Sequence, residues 1–194
     1  MRPRWMTLAA LTTTFVLALS ACGQSPVRTM PGSGGVAETA PPQADPVEGW
    51  AAGYCGAVAH LVQALASLPV VDPTSPQRAS ETSSNLLASL VGGLDQSLAG
   101  LNALGPPPFA AAEQGRRTVA GRFGDIRRQA EDVRHHIDAV RGDAVATKAA
   151  LGDARATLDR VADLNLLEGL QGAPRLAEAG QRIPGCQALA RPNR

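Results

Sequence analysis

From Trp50 onwards the apolar residues of this chain return at steps of four and three: Trp50, Tyr54, Val58, Leu61, Leu65 and Leu68. That is the period of a helix with one buried face. Asp45-Pro46-Val47-Glu48 supplies its start, with Asp as N-cap, Pro at the first helical position and Glu at the third. The spacing predicts a first helix from Pro46 to about Leu68, ended by Pro69. Ser75-Pro76 repeats the cap signal, and Leu87, Val91, Leu94, Leu98 and Leu101 carry a second stripe until Gly105 and three prolines stop it. Gly92 and Gly93 interrupt this helix, where each costs about 1 kcal/mol relative to alanine. The pair is expected to admit a close neighbour, or else to kink the helix.

The third stripe is the longest: Phe109, Ala112, Arg116, Val119, Phe123, Ile126, Ala130, Val133, Ile137 and Val140. A helix of some 30 residues would be about 45 Å long, and Arg116 is the one charge on its buried side. Gly142-Asp143 reads as a turn into a fourth helix with Leu151, Ala154, Leu158 and Val161 inward. At Asn165 the pattern fails. Leu164, Leu166, Leu167 and Leu170 then face several directions, so this segment either wraps over the end of the domain or offers an apolar patch. A short helical segment from Pro174 to about Arg182 precedes Cys186.

The expected fold is all-α: a four-helix up-down-up-down bundle with a short fifth helical segment, over residues 45–187, followed by a polar tail at 188–194. About 140 residues suffice for a single core. Residues 23–44 are rich in Gly, Pro and small polar residues without apolar periodicity, the composition of a disordered tether spanning roughly 25 Å.

The segment before that tether changes the picture. Arg2 and Arg4 precede an apolar run from Trp5 to about Ala21, which is signal-peptide length and short for a stable membrane span. It ends in Leu19-Ser20-Ala21-Cys22, which resembles the lipobox of bacterial lipoprotein precursors. The resemblance implies that residues 1–21 are removed and that Cys22 is lipidated as the first mature residue. It also implies attachment to the outer face of the plasma membrane, because two or more acyl chains anchor stably where one does not. An ordinary secretory signal cleaved near Ala21 is the alternative, and either route exports the protein. The chain resembles actinobacterial, mycobacterial-type cell-envelope lipoproteins of uncharacterised function, a group that implies no activity. One lysine, Lys148, among 18 basic residues fits a GC-rich genome.

Losing Arg2 and Arg4 leaves 16 basic against 17 acidic residues, so no nucleic-acid surface is implied. With Cys22 lipidated, Cys55 and Cys186 remain, and two exported thiols read as a disulfide. The alternative for Cys55 is a nucleophile activated by His60, but five residues at about 100° each place the two roughly 140° apart on one helix. Asp132 and His135 have the spacing of a helical metal pair, yet Val133 and Ile137 hold the inward positions and a second such pair is missing. His136 points about 100° away from His135. Arg127 with Glu131, Arg128 with Asp132 and Arg134 with Asp138 suggest a solvated ion-paired face, worth a few tenths of a kcal/mol per pair. Trp50 and Tyr54 are expected in the core.

Phosphate loops, a serine-hydrolase elbow and paired interior carboxylates are missing from the sequence, so no catalytic residue, metal or cofactor is assigned. The sequence points to a membrane-anchored protein that binds an envelope protein or lipid. A carrier of an apolar ligand is the second reading, and an enzyme with an unrecognised site the third. Arg116, Leu164, Leu166, Leu167 and Leu170 are the candidate contacts for a ligand or partner.

Overall fold

The computed structural model describes residues 45–141 and 143–190. The expected signal peptide, Cys22, the tether, Gly142 and residues 191–194 lie outside the described residues. Among the described residues the protein is all-helical. It has four long helices, α1 (Pro46–Ala66), α2 (Pro76–Ala103), α3 (Ala110–Ala139) and α4 (Ala144–Ala162). Three short ones follow: α5 (Glu168–Gln171), α6 (Pro174–Arg182) and α7 (Pro184–Ala190).

The long helices begin where their caps put them. Asp45 Oδ1 accepts from the Val47 N–H at 2.8 Å, Ser75 Oγ from Arg78 N–H at 3.2 Å, and Asp143 Oδ1 from the Val145 and Ala146 N–H groups at 2.9 Å. Each cap satisfies donors that the first turn leaves without an internal acceptor. Proline at the first position of α1, α2, α6 and α7 occupies a site whose N–H has no helical partner.

α1 lies between two sets of neighbours, α2 on one side and α6 and α7 on the other, while α4 packs on α3 and α2. The contact between α1 and α2 is made by small residues one heptad apart. A Cβ placed on Gly100 would lie 2.8 Å from the Cβ of Ala57, and one on Gly93 would overlap that of Ala64. As residue numbers rise along α1 they fall along α2, so the two helices run antiparallel. Gly92, by contrast, has nothing within 4 Å of such a Cβ. Of the two glycines expected to admit a neighbour only Gly93 does so, and Gly100 joins it.

Three expectations need correction. The buried stripe of α4 is Thr147, Ala150, Ala154, Thr157 and Val161: Ala154 and Val161 face inward as expected, but Leu151 and Leu158 do not lie on it. Small residues let α4 approach closely, and the two threonines are tolerated because their hydroxyls donate to carbonyls: Thr157 to Asp153 at 2.9 Å and Thr147 to Val140 at 3.2 Å. Leu151 and Leu158 flank this stripe, partly buried against the core. Second, the domain does not give way to a polar tail at 188. α7 continues to Ala190, with Leu189 packed on the core. Third, Arg128 pairs with Asp125 and Asp138 with Arg141, in place of the expected Arg128–Asp132 and Arg134–Asp138 pairs. The observed pairs put the acid first, the order that favours the helix dipole. Arg127–Glu131 forms as expected at 2.8 Å, and Arg127 also reaches Asp95 of α2 at 2.7 Å.

The two adjacent glycines provide a paired test of the α1–α2 contact. Gly92→Ala should raise stability by up to about 1 kcal/mol in urea unfolding, through helix propensity alone. Gly93→Ala gains the same propensity but must push α1 away, and should lower stability by about 1 to 3 kcal/mol. Equal midpoints for the two variants would refute the contact.

Candidate functional site

The distinctive chemistry of the domain collects where α1 meets the C-terminal helices. Cys55, on the face of α1 turned away from α2, is bonded to Cys186 of α7, with a Cα–Cα distance of 5.2 Å across a separation of 131 residues. Both cysteines are almost wholly buried. In the chain-entropy description such a closure stabilises by at most about 5 kcal/mol. His60 is exposed and takes no part in it.

One turn before Cys55, Trp50 stacks on Tyr54 with ring centroids 5.8 Å apart, and Trp50 Nε1 donates to the Gly105 carbonyl at 3.3 Å. The Tyr54 hydroxyl donates to the Leu166 carbonyl at 3.0 Å and accepts from the Gly169 N–H at 3.2 Å. A single phenol therefore holds the chain on both sides of its entry into α5. Burial pushes its ionisation well above the ordinary value of 10.0. Two glycines make room here: a Cβ on Gly169 would strike the Tyr54 ring, and a Cβ on Gly115 of α3 would lie 2.5 Å from the Gly169 carbonyl oxygen.

This anchored crossing answers the question raised by the leucine cluster. The segment wraps over the domain: Leu170 is buried, and Leu164, Leu166 and Leu167 are partly buried against the core. Leu167 and Leu170 also line a cleft of about 410 Å³. Its other walls are Gln171, then Ala177, Gly180 and Gln181 of α6, then Cys186, Gln187 and Ala190 of α7. The volume falls at the lower end of the range for small-molecule sites. Leu164 and Leu166 do not line it. A second groove, about 370 Å³, lies between α3 and α5 beside Gly115, Thr118 and Glu168, and Gln171 borders both.

Arg116 is engaged within the fold. Its guanidinium donates to both carboxylate oxygens of Glu113, at 2.9 and 2.8 Å, and to the Leu101 carbonyl at 3.1 Å. A cation on the last turn of α2 satisfies a carbonyl left over by the helix. Arg116 and Arg117 together hold the Glu113 carboxyl down at about 2. Arg122 reaches across to Glu168, and the Arg175 guanidinium lies over the Phe109 ring at 5.6 Å.

The glutamines of the cleft and the Tyr54 clamp are the features that periodicity alone does not find. Gly169 within a leucine-rich run, and Gly115 beside the inward position 116, are the marks they leave in the sequence. Among the described residues no three His, Cys, Asp or Glu side chains converge as a metal site would require, and Asp132, His135 and His136 are exposed.

Tyr54→Phe should lower stability by about 1 to 3 kcal/mol, since it leaves the buried Gly169 N–H without its acceptor. The loss should shrink above pH 10.0, because the ordinary phenol of the unfolded chain ionises there while the buried one does not. Urea midpoints taken across that range will show the convergence or its absence. For Glu113 the sign is opposite: a depressed carboxyl stabilises above its ordinary 4.5 and loses that contribution as pH falls toward about 2. Glu113→Gln should flatten the acid limb of stability in that window, and an unchanged limb would assign it to other carboxylates. No family model, curated protein or solved structure matches this chain.

Proposed function

We propose that this protein is an exported lipoprotein, anchored through Cys22 to the outer face of the plasma membrane, whose helical domain works by binding an envelope component. In this reading the four long helices form an up-down-up-down bundle held off the bilayer by residues 23–44. The opposed numbering of α1 and α2 at their small-residue contact supports that arrangement.

The observation that carries the reading is the Cys55–Cys186 bond. Such bonds form and persist in oxidising compartments, which agrees with the exported fate that the lipobox resemblance implies. Among the described residues no helix is long and apolar enough to cross a membrane, so in this reading the lipid on Cys22 supplies the attachment. Several charged side chains near these elements are drawn into structural pairs, Glu113 with Arg116 and Glu48 with Arg182 among them, which favours binding over catalysis. The apolar cleft beside Cys186 is the specific observation behind the second reading, in which the bound component is an apolar ligand.

Cys22→Ala tests the anchor. Expressed in an actinobacterial host, the full chain should fractionate with membranes and carry a mass increment of a diacylglyceryl group, and the variant should lose both. Membrane retention of the variant without the increment would defeat the assignment.

A further inference from the structure

We propose that the cleft between α5, α6 and α7 binds one uncharged single-chain amphiphile, with its acyl chain in the cleft and a neutral, hydroxyl-bearing head at the rim. The proposal rests on the reading of this chain as a binding protein and is independent of the anchor at Cys22.

The floor is apolar. Leu170 and Cys186 are nearly fully buried beneath it, and Gly180 keeps it low. A Cβ at Gly180 would approach the Leu170 Cδ1 to 3.0 Å and the Cys186 Cβ to 4.0 Å, so a larger residue would raise the floor. A space of about 410 Å³ equals about 14 water volumes, room for one chain and not for two. The covalent bond at Cys186 fixes α7 against α1, which leaves the wall in place before any ligand arrives and lowers the ordering cost of binding.

Charge selects the class of ligand. Among the described residues, none that lines the cleft is ionisable. The charges that α6 carries next to the cleft are turned elsewhere: Arg182 donates to Glu48 of α1 at 2.8 and 3.0 Å and to Glu178 at 2.9 Å. A charged head drawn to the rim would lose water without gaining a counter-charge from the described lining residues. What the rim does offer is one glutamine from each wall, Gln171, Gln181 and Gln187, whose amides both donate and accept. Gln187 Nε2 already donates to the Gln181 carbonyl at 2.6 Å, which orients one amide across the gap between α6 and α7. Hydroxyl and ester oxygens suit such groups. An acyl chain, unlike a peptide, asks for no directed partners along its length, and the helical backbone at the walls has few to give.

The full-length protein in lipid nanodiscs can be labelled with a photoactivatable monoacylglycerol and the attached peptides mapped by mass spectrometry. Label should concentrate on residues 167–190. It should fall by about tenfold in Ala177→Trp, which fills the cleft, and in Ala190→Trp, which blocks its exposed mouth, with helical circular dichroism unchanged. Unlabelled monododecanoylglycerol should displace the probe at concentrations where dodecanoate does not. Label spread over the whole domain, or retained in both tryptophan variants, would overturn the site. Equal competition by dodecanoate would overturn the selection for an uncharged head. Failure here with membrane fractionation intact removes the ligand and keeps the anchor, and the reverse outcome does the opposite.

Discussion

Ala57 and Ala64 of α1 meet Gly100 and Gly93 of α2 at a range that leaves no room for a Cβ on either glycine, and the rest of the domain is arranged around the helix so placed. Close packing of this kind exchanges side-chain bulk for backbone proximity. It gives many weak dispersion contacts over a short distance, and it is intolerant of growth in volume at either partner. With α2 drawn in on one side, the opposite side of α1 is left to bury its larger residues, and Tyr54, Cys55 and Val58 do so completely. α1 is thus a helix with two different interfaces. One is made of small residues, and the other of an aromatic pair and a covalent bond.

The second interface explains why three short helices hold together at all. Helices of four, nine and seven residues have little stability of their own. They persist here because fixed points on α1 replace the cooperativity they lack. The phenol of Tyr54 holds the entry into α5, the pairing of Arg182 with Glu48 sits along α6, and Cys55 holds α7. The cleft is the space left over when short helices are fastened at points instead of packed along their length.

Much of this was legible in the sequence. Asp45-Pro46, Ser75-Pro76 and Asp143 marked the helix starts because capping is local chemistry, decided within three or four residues. The partnership of Cys55 and Cys186 follows from counting thiols once Cys22 is set aside as a lipidation candidate. What periodicity could not show was which of two neighbouring stripes on α4 faces inward. Leucines are the obvious choice, but the approach of α2 and α3 selects Thr147, Ala150 and Thr157, and the two threonine hydroxyls find carbonyls on their own helix or at the adjacent helix end. Arg116 stands out in the sequence as a charge on a buried stripe. Its purpose depends on the last turn of α2, 15 residues earlier in the chain, and no spacing rule reaches that far. The cleft escaped for the same reason, since it is formed by three separate short helices.

The bond between Cys55 and Cys186 also turns most of the domain into a closed covalent ring. Every loop between α1 and α7 lies within that ring, including the exposed Val70-Val71 turn between α1 and α2. A protease that cuts one of these loops opens the ring without releasing a fragment. Both pieces stay joined through the two sulfurs, and the helices beside the cut remain held in place by their neighbours. A first nick is therefore a change in connectivity and not yet a loss of material.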